Sequence, residues 1–188
     1  MNTTETPPNI ETKTVFFPSS AASPASEIEK QKNKRVVTTK KRWRFTESEL
    51  FLEKQFEYVE NIHKNKIPKE EENTCSLITQ QINQKIYGYK SQDQLKRIFD
   101  ETAIVDIADV IEKLVECENR CFYCKTRVHI LYEIVREPRQ WTLDRIENNK
   151  GHNKNNVVIA CLRCNLHRKT MYHERFVFTK QLTISKQP

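Results

Sequence analysis

Residues 141–165 read WTLDRIENNKGHNKNNVVIACLRCN. The run opens on β-branched and aromatic residues, crosses a loop of Asn, Lys and Gly, and returns in the apolar VVIA before a C-x-x-C pair. Gln140 to Ile146 and Val157 to Ala160 therefore predict two strands. The segment from Asn165, NLHRKTMYHERF, lacks Gly and Pro and predicts a helix. Upstream, a second C-x-x-C pair is followed by Arg127 to Val135, RVHILYEIV, whose composition predicts another strand. The expected order is hairpin, loop, strand, helix.

Six cysteines occur, and four of them form the pairs Cys121/Cys124 and Cys161/Cys164. A C-x-x-C turn presents two thiolates on one side of a metal, and two such turns complete a tetrahedral structural Zn2+ site. Each pair borders a predicted strand, so the ion would staple the start of this region to its end. A disulfide framework fits less well, because residues 1–20 are polar with no apolar signal-like core and two cysteines are left over. Redox chemistry at one pair leaves the other unexplained. Cys75 and Cys117 then read as buried thiols in a reducing, intracellular compartment.

Taken in order, the knuckles with LDRIEN, GH, NNVV and CLRCN resemble the HNH endonuclease family in its zinc-stabilised form. The resemblance spans residues 119–175, and residues 1–118 contribute nothing to it. It implies an α+β chain in which an N-terminal helical region precedes a small ββα-metal domain carrying a structural four-cysteine zinc site. It implies metal-dependent hydrolysis of DNA phosphodiester bonds. Asp144 matches the family's metal-binding Asp, and Asn165 the helix position usually filled by a metal-binding His or Asn. Together they would hold a catalytic Mg2+ or Mn2+. Asn156 matches the middle Asn that braces the loop. One position departs from the pattern: Arg145 stands where the family usually carries its general-base His. A guanidinium stays protonated and cannot accept a proton, although it can grip a phosphate by two hydrogen bonds. The base is then His152 in the loop, or a metal-bound hydroxide with no protein base. His129, His167 and His173 read as surface or packing residues, with His167 within reach of the metal from the helix.

The 188-residue chain carries a formal net charge of +7 and a mean hydropathy of −0.76, distributed unevenly. Residues 1–29 sum to −3 and read as disordered; residues 30–45 sum to +8, residues 46–118 to −7 and residues 119–188 to +9. The +8 arm, with Lys40, Lys41, Arg42 and Arg44 around Trp43, reads as a phosphate-tracking arm, a nuclear import signal or a soluble linker. In the C-terminal part, Lys150, Lys154, Arg163, Arg168, Lys169 and Arg175 are expected on the DNA backbone. The divisions are 1–45, 46–118 and 119–188.

Residues 46–118 predict helices. Thr46 and Glu49 make a capping box. Leu52, Phe56, Val59 and Ile62 then form a stripe ended by Pro68. Ile78, Ile82 and Ile86 form a second stripe, with Gly88 as a stop. Ser91 caps a short helix holding Leu95, Ile98 and Phe99, and Ile107 to Val115 make another. This region shows no catalytic constellation and is a candidate surface for a protein partner or self-association.

Two glycines, Gly88 and Gly151, exclude every Gly-rich phosphate loop. No apolar run reaches the ~18 residues of a membrane span. The abundance of Asn, Lys and Ile hints at a phage or large DNA virus. Two other classes stay open: a zinc-stabilised nucleic-acid-binding protein without hydrolysis, and an interaction adaptor acting through its acidic helices.

Overall fold

A computed structural model describes residues 14–17, 37–40 and 43–186. Expectations for the rest of residues 1–45, including Lys41 and Arg42, lie outside the described residues. In chain order the elements are β1 (Thr14–Phe17), α1 (Glu47–Leu50), α2 (Leu52–His63), a 3-10 turn (Lys69–Glu71), α3 (Glu72–Leu95), α4 (Ile107–Glu116), β2 (Trp141–Arg145), β3 (Val157–Cys161), α5 (Leu162–Arg168), α6 (His173–Gln181) and β4 (Thr183–Lys186). β2 pairs antiparallel with β3, Leu143 opposite Ile159, and β1 pairs parallel with β4. The architecture is mixed: helices around one small antiparallel hairpin. Among the described residues, no helix is long and apolar enough to cross a membrane.

The core joins the helical segment to the hairpin. Val59, Ile78, Ile82, Val110 and Leu114 from the helices cluster with Trp141, Leu143, Ile159 and Phe176, each under a tenth exposed. α4 begins at a capping box in which Asp106 and Asp109 satisfy each other's backbone amides. The Thr46 box forms as expected. The helix it opens is interrupted at Phe51, whose ψ of 133° is extended.

A two-stranded hairpin leaves its outer edges open, and unpaired backbone groups must find partners. α3 supplies them to β2. Residues four apart share a helix face, and here Gln81, Lys85, Tyr89 and Asp93 form one polar stripe. Gln81 Oε1 accepts from Trp141 Nε1 at 3.1 Å. Lys85 Nζ donates to the Trp141 carbonyl, and burial lowers its amine to about 7. Tyr89 Oη accepts from Leu143 N at 3.0 Å. Asp93 Oδ2 accepts from His152 N at 2.6 Å.

This stripe explains two corrections. Gly88 does not stop the helix, which continues to Leu95, because the stripe holds the turns on either side of it. The space beside Gly88 is open: a Cβ added there would meet nothing within 4 Å. Its cost of about 1 kcal/mol relative to Ala is offset by those bonds. Ser91 is a mid-helix residue bonding back to Tyr87 O at 3.0 Å, not a cap.

Three more expectations change. Residues 127–135 form isolated bridges, not a strand. Their amides are taken elsewhere: Gln55 Oε1 accepts from both Ile130 N (2.7 Å) and Leu131 N (2.9 Å), and Thr38 O accepts from Val135 N. The last predicted helix breaks at Lys169 (φ 52°), so α5 and α6 are separate. The described part of the basic arm is docked. Lys40 N donates to Glu133 O, and the Lys40 ammonium lies over the rings of Trp43 and Tyr132 at 3.2 and 4.3 Å.

Gln55 is fully buried and holds three backbone groups, including Leu50 O through Nε2. Replacing it by Leu strands two buried amides and a carbonyl. We expect Gln55→Leu to lower unfolding stability by roughly 2–4 kcal/mol in urea denaturation. A loss below about 0.5 kcal/mol contradicts the role given to it.

Candidate functional site

The knuckles come together as the spacing requires. One sulfur from each of Cys121, Cys124, Cys161 and Cys164 lies within 4.8 Å of the other three, and Cys124 and Cys161 are 3.9 Å apart. A tetrahedral ion with metal–sulfur bonds of ~2.3 Å places its ligands about 3.8 Å apart. The four thiols fit that geometry and are free rather than paired in disulfides. A hydrogen bond from Cys161 pulls the Cys121 thiol down to about 4, while the Cys161 thiol is pushed up. Four crowded sulfurs cannot all ionise without a cation between them. Local backbone supports the cage: Cys161 Sγ accepts from Cys164 N at the start of α5, and Ile159 O of β3 accepts from Phe122 N. Cys75 and Cys117 stand apart as thiols raised by burial, Cys75 to about 11. Among the described residues, the four-cysteine group is the one cluster of three or more His, Cys, Asp or Glu placed to hold a metal.

Asp144 lies near the end of β2 and is 6% exposed. Its Oδ2 accepts from Tyr123 Oη at 2.6 Å, and its Oδ1 from Arg168 of α5 at 2.8 Å. Asn165, on the same helix, donates Nδ2 to Thr142 Oγ1 and to Leu143 O, both at 3.1 Å. That fixes its amide beside the residue preceding Asp144 and leaves Oδ1 for another partner. Each Asp144 oxygen keeps a second lone pair. A carboxylate and an amide oxygen are the ligand types that a hard divalent ion takes.

Tyr123 carries the network one step further. Burial and then the bond to Asp144 raise its phenol, so it stays protonated and donates. His173, the first residue of α6, has Nδ1 3.1 Å from the same oxygen. Because the phenol hydrogen is spent on Asp144, Nδ1–H of His173 is the donor, and its Nε2 keeps a lone pair. Burial and then the Arg168 guanidinium lower the His173 pKa, so the ring is neutral near pH 7. The ring also packs on Phe122 and Tyr123, at 5.1 and 5.6 Å between centroids, as expected of a packing residue, and the hydrogen bond to Tyr123 is added to that packing. In the sequence, Tyr123 is signalled by its place inside the first knuckle alone, and His173 by nothing.

The other expected site residues cluster around Asp93 instead. His152 is 5% exposed, with Nδ1 2.9 Å from Asp93 Oδ1, and its ring stacks on Tyr89 at 4.4 Å. Burial lowers its pKa in spite of Asp93. Arg145 donates to Lys150 O and approaches Asp93 to 4.0 Å. Asn156 is a brace: Oδ1 accepts from Glu147 N, and Nδ2 donates to Glu147 O and Gly151 O. Gly151 permits the approach, since a Cβ there would meet Ile98 O at 2.8 Å and Asp93 Oδ2 at 3.0 Å. The structure thus brings together Asp144 with Arg168 and places the Asn165 amide against Thr142 and Leu143; it holds His152 and Arg145 at a second cluster. Asp93 and Tyr89 join that cluster from α3, in the helical region that shows no constellation in the sequence.

The expected DNA contacts divide. Arg168 is 1% exposed and bound to Asp144, so it is not a backbone contact in this arrangement. Lys150 pairs with Glu147 at 2.7 Å, and Lys154 with Asp106 and Asp109 at 3.2 and 2.9 Å. Arg163, Lys169 and Arg175 are exposed and form no ion pair among the described residues. Arg44 lies 3.8 Å from Glu133.

No protein-family model matches the chain, and no curated protein or solved structure shows significant similarity to it.

We expect the purified protein to contain one zinc per chain, released by a thiol-modifying reagent and measured with a colorimetric chelator. Cys161→Ser should lose that zinc and the cooperative thermal transition. A zinc-free wild type with an unchanged transition contradicts the assignment.

Proposed function

We propose that the chain is a metal-dependent DNA endonuclease of HNH type, hydrolysing phosphodiester bonds at Asp144 and Asn165. The observation that carries this reading is the placement of Asn165, pinned by the Leu143 carbonyl at the start of α5, directly against the strand that bears Asp144. The order of LDRIEN, GH, NNVV and CLRCN supports it, as does the four-cysteine cage that ties the knuckles to both strands. A bound Mg2+ or Mn2+ supplies charge stabilisation at the scissile phosphate. The protein's share is positional. Asp144 and Asn165 offer the oxygens, and Asn156 braces the loop. Arg168 balances the Asp144 charge. His173 reaches Asp144 through Tyr123, and it is the imidazole assigned here to the proton of the attacking water. His152 has its Nδ1 on Asp93 and its ring on Tyr89, in the second cluster.

A second reading is favoured by the engagement of both Asp144 oxygens and by Arg145: a zinc-stabilised DNA-binding protein without hydrolysis. The two part in one assay. We expect wild type to nick supercoiled plasmid with Mg2+ or Mn2+, and Asp144→Ala to fall at least a hundredfold. His173→Ala should lose tenfold or more, partly restored by added imidazole. Binding of plasmid with no metal-dependent nicking above the Asp144→Ala background establishes the second reading.

A further inference from the structure

Positive charge free to meet an external anion lies away from the loop. Three of the six cations expected on DNA are neutralised by carboxylates: Lys150, Lys154 and Arg168. On the outer side of the first knuckle, a cleft of about 590 Å³ is lined by Phe122, Tyr123, Cys124, Lys125, Arg163, Val177 and Lys180. Three of its residues are cations and none is an acid. Lys125, Arg163 and Lys180 are exposed and form no ion pair among the described residues. Two of the ammonium groups rest on aromatic rings instead, Lys125 on Phe122 at 4.8 Å and Lys180 on Phe176 at 5.2 Å. Those contacts hold the stems along apolar surface while leaving the charges open to an external anion.

The cations come from three separate elements: the first knuckle, α5 and α6. The four-cysteine cage fixes the first against the second, and the packing of Tyr123 on Phe176 at 4.8 Å fixes the third. Tyr123, the side chain that bonds Asp144, is among the residues lining the cleft. A polyanion in the cleft therefore runs past the Asp144 network.

We propose that this cleft binds the sugar–phosphate backbone of DNA through Lys125, Arg163 and Lys180. It rests on the reading of DNA as the substrate, and extends the expected contacts to two residues, Lys125 and Lys180, outside the loop whose lysines were expected to serve.

Binding without hydrolysis separates the inference from the endonuclease reading. A fluorescent 20-base-pair duplex is titrated with full-length protein in metal-free buffer across a salt series, followed by anisotropy. Each lost phosphate contact lowers the log–log salt slope by ~0.9. Lys125→Gln/Arg163→Gln/Lys180→Gln should bind at least tenfold more weakly and show a slope smaller by roughly 2–3. The control Lys150→Gln/Lys154→Gln, which removes cations already paired, should change the slope by less than about 1. Zinc content reports that each variant is folded. On wild type, the same duplex should protect Lys125 and Lys180 from acetylation more than Lys150 and Lys154, a readout that needs no variant. An unchanged slope in the triple variant, or no protection of Lys125 and Lys180, overturns the cleft while leaving DNA binding intact. No binding by wild type at low salt removes the cleft and the DNA reading together. Tight DNA binding without nicking removes only the enzyme.

Discussion

The free edge of β2 has to be satisfied, and side chains of α3 take two of its backbone groups. A hairpin of two five-residue strands is marginal on its own in water. Here Lys85 takes the Trp141 carbonyl and Tyr89 the Leu143 amide, His129 O and Asn165 take the Trp141 amide and the Leu143 carbonyl, and Gln81 and Asp93 bind the Trp141 indole and the loop at His152. The stripe runs from Gln81 to Asp93 at a constant spacing of four, so it follows one face of one continuous helix. Bend the helix at Gly88 and the upper half of the stripe loses its register with the strand. The helical segment and the hairpin consequently share a core and a polar seam, and residues 146–156 are positioned by a helix some 60 residues earlier in the chain.

The cysteine cage works from the opposite edge. β3 runs straight into Cys161, and Phe122 of the first knuckle bonds the Ile159 carbonyl. The hairpin is thus held between a helix on one side and a knuckle on the other, with Asp144 and Asn165 on the segment between. Rigid support of this kind is what an acid with two close partners needs, since a shift of about 1 Å would break the bonds from Tyr123 and Arg168.

How much of this was legible depended on whether a feature is local. The two strands, the capping box at Thr46 and each C-x-x-C turn follow from neighbouring residues, the two turns being matched across the chain by the four ligands one metal takes, and Trp141–Arg145 and Val157–Cys161 lie within two residues of the expected bounds. The stop at Gly88 and the strand at 127–135 failed because their outcome is set by partners far along the chain: β2 for the helix, and Gln55 for the amides of Ile130 and Leu131. The site divides the same way. The LDRI–CN order singles out Asp144 and Asn165 as candidates, but nothing local to Tyr123, His173 or Asp93 announces that they meet partners 21, 50 and 59 positions away.

Asp93 also gives Arg145 a physical role. A buried carboxylate that accepts from the His152 amide and ring needs positive charge nearby, and the Arg145 guanidinium approaches to 4.0 Å while its Nη1 holds the Lys150 carbonyl. A histidine at position 145 has a shorter side chain and one ring to reach the same two places. The arginine therefore belongs with the α3 seam: its long side chain links the end of β2, the loop and the helix at once. Arg145, the histidine in the loop and the aspartate on the helix form one arrangement. His173, at the start of α6, meets Asp144 through Tyr123 and takes no part in that arrangement.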